Sequence, residues 1–172
     1  MYVTRAQLAQ GQRAAEELAQ VFGVASAELM LATIAGTDRT AWTADEIAVA
    51  DQALADIDQA IVYADGEVDA RLSRRGYPLP LVNPERFTVL TVWARSIARY
   101  WIQLQRDMNT EQTGRIERDY RDALKALQLV ADGKLGLGAG DPLAPPTPGG
   151  ASSGPEVCAP PRVFDRHTLA DY

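Results

Sequence analysis

The sequence predicts an all-α fold: a small bundle of about five helices with a long third helix, plus an extended Pro/Gly-rich C-terminal tail. Three observations carry that expectation. Before Gly138, apolar residues recur at spacings of three and four, the period of one helix face, and strand signals are weak. Ser/Thr caps and an Asn-Pro pair stand where helices should begin. From Gly138 the composition turns to GAGDPLAPPTPGGASSGPEVCAPP, which cannot bury enough apolar surface to offset its ordering entropy. The expected division is therefore a helical domain over 1–138 and a linker with a C-terminal docking segment over 139–172.

Taken in order, Thr4 caps a first helix reaching about residue 22. Ser26 caps a short second helix carrying Leu29, Leu31 and Ile34, and the loop AGTDRTAW comes after it. Thr43-Ala-Asp-Glu46 is a capping box, in which the hydroxyl takes an orphan amide and the carboxylate reaches back to the cap amide. Downstream, Ile47, Ala50, Leu54, Ile57, Ile61, Ala64, Val68 and Leu72 share one face of a helix about 45 Å long. The other face is acidic, with Asp45, Glu46, Asp51, Asp56, Asp58, Asp65, Glu67 and Asp69. Arg71 near its end suits the negative end of the helix dipole.

Gly76 can stop this helix, because it lacks the Cβ that makes a left-handed residue costly. In the connector RRGYPLPL, Pro78 and Pro80 fix φ and are expected to hold Leu79 and Leu81 extended. Asn83-Pro84 reads as the cap and first residue of a fourth helix, whose apolar face is Phe87, Leu90, Trp93, Ala94, Ile97, Trp101 and Leu104. A fifth helix over 114–132 carries Ile116, Tyr120, Leu124, Leu127 and Val130, and Gly133 terminates it.

Charge and composition narrow the function. The net charge is -6 with 23 acidic and 17 basic residues. That balance argues against general affinity for nucleic acid or anionic membrane, which are recognised through basic surface. One cysteine, Cys158, forms no internal disulfide, and with one histidine, His167, a Cys/His zinc cluster within one chain is excluded. The N-terminus MYVTRAQLAQGQR lacks the apolar core of a signal peptide, and LMLATIAG is too short to span a bilayer. The expectation is a soluble, cytosolic chain with no membrane partner.

No catalytic constellation emerges. GKLGLGAG lies after the last helix, whereas a phosphate cradle needs its glycines before a helix N-terminus. Cys158 and His167 sit in the tail, where nothing nearby would hold a catalytic geometry. The acids of the third helix read as a solvated face, since bundle di-metal sites use Glu-x-x-His pairs aimed into the core. The expectation is no enzyme, no cofactor and no metal. Arg95, Arg99, Arg106, Arg115, Arg118, Arg121 and Lys125 pair either within the chain or with an acidic neighbouring subunit.

Two stretches stand out as contact surfaces. The connector corner offers Arg74, Arg75, Tyr77, Pro78, Leu79 and Pro80, which either cover the end of the bundle or meet another subunit. The tail ends in RVFDRHTLADY, where apolar residues return after a linker that should have stayed polar. Val163, Phe164, Leu169 and Tyr172, with Arg166, are the expected anchors of a docking segment. Residues 139–172 reach about 100 Å when extended, enough to cross to a neighbour.

MYVTRAQL, RRGYPLPL, ERDYRDALKALQLVADGKLGLG and the closing RVFDRHTLADY together resemble Mu-like phage proteins of the head–tail connector region. The resemblance covers nearly the whole chain and rests on the order and spacing of these segments. The family's pattern usually has arginine directly before the connector tyrosine; here Gly76 intervenes and Arg75 stands one place earlier. The resemblance implies a structural head–tail adaptor in the virion neck, present in host cytoplasm before assembly. It implies a homo-oligomeric ring, commonly of twelve subunits, with the portal and a neck or tail-completion protein as partners and DNA as passing cargo. In such a ring the acidic face of the third helix either lines the channel, where Asp56, Asp58 and Asp65 would repel phosphates, or faces outward and only aids solubility. The alternatives are a tail-completion or stopper protein, or a helical module that binds a peptide or small molecule.

Overall fold

The structure, a computed structural model, describes residues 1–104, 111–138 and 141–143. Among these residues the chain is all-α, with no strand. The helices are α1 (Arg5–Leu8), α2 (Gln12–Phe22), α3 (Ala27–Ala35), α4 (Ala44–Arg75), α5 (Thr88–Gln103) and α6 (Glu111–Ala131), with a single 3-10 turn at Pro84–Arg86.

The single helix expected up to residue 22 is two. Thr4 closes a capping box with Gln7 around one turn of α1. Gly11 then takes φ 96°, open to glycine and strained for other residues, and precedes the first residue of α2. A second left-handed glycine, Gly23, ends α2, and the chain bends by 97° between Arg13–Phe22 and Ala27–Ala35. Ser26 caps α3 as expected, its hydroxyl accepting from the Leu29 amide at 3.1 Å. Leu29 and Met30 are fully buried and hold α3 to the core, each contributing roughly 1.5–3 kcal/mol.

The long helix keeps its predicted boundaries. The Thr43 hydroxyl accepts from the Glu46 amide at 3.3 Å, and Glu46 accepts from the Thr43 amide at 2.8 Å. At the other end Gly76 sits at φ 94°, and the Gly76 and Tyr77 amides both reach the Leu72 carbonyl at 3.1 Å. Its buried stripe is Ala50, Ala53, Ile57, Ala60, Ile61, Ala64, Val68 and Leu72, while Ile47 and Leu54 are half-buried. The four alanines share one core with Ala94 and Ala98 of α5, small side chains that suit the packing of α4 against α5. Helix α6 packs against both, and Tyr100 stacks on Tyr120 across α5 and α6 with centroids 4.0 Å apart.

The connector departs from expectation twice. It bends at Leu79 and Pro80, which are joined by a cis peptide bond. Asn83 adopts a left-handed conformation and caps nothing with its side chain; Pro84 opens the 3-10 turn, and α5 begins only after the buried Phe87. Asparagine tolerates that conformation better than most residues, so the same Asn-Pro pair serves a turn instead of a cap. At the end of α6, Gly133 terminates the helix at φ 73° as expected. Packing continues beyond Gly138: Asp141 is buried and Leu143 rests against the core.

Candidate functional site

The corner after α4 is fixed by an arrangement spread over three parts of the chain. The Tyr77 hydroxyl donates to Asp141 Oδ1 at 2.6 Å. The same oxygen accepts from the Leu143 amide at 2.9 Å, and Oδ2 accepts from the Leu137 amide at 2.7 Å. Burial alone would favour the neutral acid of Asp141. The bonds from Tyr77 and the two amides, with the Arg75 charge, outweigh it and hold the carboxyl below the usual range. Tyr77 is pushed well above its ordinary value, by burial first and then by its bond to Asp141.

Arg75 closes the arrangement. Its Nη2 donates to the Leu143 carbonyl at 3.0 Å. Its guanidinium lies against Gly133, where an added Cβ would meet Nη1 at 2.3 Å. Gly133 therefore does two things: it permits the left-handed helix end and leaves room for Arg75. Arg74 points outward, half exposed or more, and pairs with Asp132 at 3.5 Å.

The corner residues singled out in the sequence thus divide. Tyr77 is inside the subunit, 4% exposed, and its hydroxyl is taken by Asp141 of its own chain. Arg75 is committed to Leu143. Pro78, Leu79 and Pro80 are exposed, and Arg74 is exposed beside Asp132. Next to them Pro78, Leu81, Val82, Phe87 and Pro142 line an open apolar groove of about 250 Å³, with Asn83 and Arg86 also on its wall.

The three acids assigned to a channel are placed differently from a bare solvated face. Asp58 receives Arg5 through Nε and Nη2, each at 2.6 Å. Asp65 accepts from the Tyr2 amide at 2.9 Å and lies 3.6 Å from the Met1 ammonium. Asp69 accepts from the Tyr2 hydroxyl, whose pKa is raised by burial first and then by this bond. Asp56 accepts from Gln52 at 3.1 Å. All three candidate acids are half-buried, and at Asp58 and Asp65 the N-terminal segment already supplies a counter-charge. The reason is the spacing: positions 58, 65 and 69 form one stripe along α4, and Met1–Arg5 lie along it.

The basic residues of α5 and α6 pair at least partly within the chain. Arg99 bonds Glu17 at 2.6 Å, Arg121 pairs with Glu117, and Lys125 with Asp122 at 3.3 Å. Arg95 Nε is buried with no hydrogen-bond partner among the described residues. Arg106 lies outside the described residues, as do Cys158, His167 and the tail anchors Val163, Phe164, Arg166, Leu169 and Tyr172.

One surface lies outside the stretches singled out in the sequence. Val62 is 61% exposed and Tyr63 48%, and Tyr63 leans on Trp101 with centroids 5.1 Å apart. Tyr63, Trp101 and Leu104 edge a shallow cleft of about 220 Å³ between α4 and α5, and the Trp101 indole N–H is buried without a partner among the described residues. A signal for it exists: Val62 and Tyr63 are apolar residues off the buried stripe of α4. Among the described residues no group of three or more His, Cys, Asp or Glu is placed to hold a metal ion. No single helix there is long and apolar enough to cross a membrane.

Comparison with known proteins adds one finding. A family model described as "Bacteriophage Mu, Gp36" matches residues 2–154. No curated protein and no solved structure matches the chain.

Proposed function

The chain belongs to the phage protein family described as Bacteriophage Mu, Gp36, and from that premise we propose that it is a head–tail adaptor. In this reading copies of the chain assemble into a ring in the virion neck, seated on the portal and capped by a neck or tail-completion protein. The subunit works by shape and contact, catalyses no reaction, and lets DNA pass through the lumen.

The observation that carries the reading is a pair of separate apolar surfaces, one in the connector just past the end of α4 and one on the side of α4 beside α5. A head-to-tail ring needs two different patches per subunit, one to present and one to receive. The corner offers Leu79, 39% exposed, with Pro78 and Pro80. The α4–α5 edge offers Tyr63 and Leu104. Tyr63 and the end of α4 are about 18 Å apart along the helix axis. The corner is held by Tyr77, Asp141 and Arg75, so its exposed leucine is ordered before any partner arrives, and little further entropy is lost on binding. Asp58 and Asp65 would bring little net charge to a channel, because each already has a counter-charge within the subunit.

Reconstitution of the chain with its cognate portal, viewed by electron microscopy, tests the proposal. Rings seated on the portal are expected. Leu79→Asp and Tyr63→Asp, both at exposed positions, should keep native circular dichroism and lose the rings. A chain that leaves the bare portal alone and binds only a portal already carrying another ring would be a stopper or tail-completion protein. A chain that binds neither would overturn the reading.

A further inference from the structure

The groove beside the corner has an occupant within reach. Val82 on its wall is 74% exposed, while Phe87 and Leu81 behind it belong to the core or pack against it. Its volume, about 250 Å³, falls short of the roughly 300–1,000 Å³ of a small-molecule site and suits one or two apolar side chains. Pro142 forms part of the wall, so the chain leaves the described structure at the rim of the groove itself.

Beyond Leu143 the amino-acid order is patterned for a return. APPTP and PEVCAPP are two proline-rich arms of similar length, and GGASSG lies between them. Proline-rich segments are stiff and extended, whereas Gly/Ser segments turn freely. Two such arms about a free hinge allow the residue after the second arm to come back near the start of the first. That residue is Arg162, directly before Val163 and Phe164. A tether of this length spans on average about 25 Å, which sets a local concentration on the order of millimolar for its own groove. A neighbouring copy in dilute solution is far scarcer. Asp165, next after Phe164, is opposite in sign to Arg86 on the groove wall.

We infer that residues 163–172 dock into the Pro78–Phe87 groove of their own subunit, with Phe164 and Leu169 as the apolar contacts. The contact lies within one chain and needs no second copy to form.

Cys158 is the only cysteine, so a nitroxide label can be attached to the full-length chain at that position alone. In dilute labelled protein, the amide signals of Val82, Asn83 and Phe87 should lose intensity relative to those of α2, and the loss should persist on dilution. Phe164→Ser with Leu169→Ser should restore the signals, as should Val82→Asp at its exposed position. Full intensity in the labelled wild type would overturn the inference. So would a loss seen only when a spin-labelled chain is mixed with a separate isotope-labelled copy, because the contact would then lie between subunits. A chain that shows the contact but forms no ring on the portal would sink the adaptor reading and leave this inference standing.

Discussion

Both ends of the described chain are fastened to α4, and they are fastened in opposite ways. At the N-terminus Val3 and Leu8 are buried outright, while the ion pair beside them stays wet: the Arg5 and Asp58 side chains are 43% and 39% exposed. At the C-terminus the polar group is the buried one. Asp141 is 9% exposed, and its two oxygens serve the Tyr77 hydroxyl and two amides. A charge-assisted hydrogen bond in water replaces one with solvent and adds little. The same bond out of water cannot be given up without leaving its partners stranded. The N-terminal segment is thus an apolar anchor with ionic trim, and the corner is a polar anchor inside an apolar shell.

That contrast is tested most strongly at Asp141→Ala. The change strands a hydroxyl and two amides in a buried place and should cost about 3–4 kcal/mol in urea unfolding. A cost near zero would show that the corner stands without its carboxylate. Leu8→Ala should come next at about 3 kcal/mol, since it removes the apolar half of the N-terminal anchor.

Gly133→Ala should cost about 2 kcal/mol. It forces a left-handed residue to carry a Cβ, and it pushes Arg75 away from the Leu143 carbonyl. If the loss were no larger at Gly133 than at Gly36, another left-handed helix end with open space around it, the close approach to Arg75 would not matter.

The two anchors should also separate by pH. The folded Asp141 carboxyl lies below its ordinary value near 3.9, so its contribution is present above that pH and is lost as pH falls through the folded value. Wild type should therefore lose stability more steeply than Asp141→Asn below about pH 4. The tyrosines act on the other side. Tyr2 and Tyr77 are raised above their ordinary value, so their contribution is intact below about pH 10 and declines as pH rises towards the folded values. Tyr77→Phe should flatten part of that alkaline decline.

The smallest effect belongs to Asp58→Asn, below about 1 kcal/mol and fading with added salt. A large, salt-insensitive loss there would erase the distinction between the two ends.

Much of the fold is legible in the sequence because its signals are local. Ser26, Thr43 and Gly76 each mark a boundary within a few residues of themselves, and the structure places α3 and α4 between them. Gly11 is equally local, yet a lone glycine in a helical pattern does not announce a break, and the division between α1 and α2 shows only in the structure. Asn83-Pro84 suits a cap or a left-handed turn, and only the buried position of Phe87 distinguishes them. The candidate site is less legible. The exposed prolines and Leu79 of the corner are visible in RRGYPLPL, but Tyr77, expected as a partner contact, is a core residue. Its bond to Asp141 joins positions 64 apart, across a stretch whose composition reads as linker.

By itself, the amino-acid order determined that this chain is helical, where its long helix starts and stops, and which stripe of that helix is apolar. Those features depend on φ preferences, caps and a 3.6-residue period, all set by near neighbours. Only the tertiary structure decided which acids of α4 stay open, which tyrosine is consumed, and why Gly133 has to be a glycine. Those outcomes depend on segments distant in the chain arriving at the same place, and no local pattern encodes that arrival.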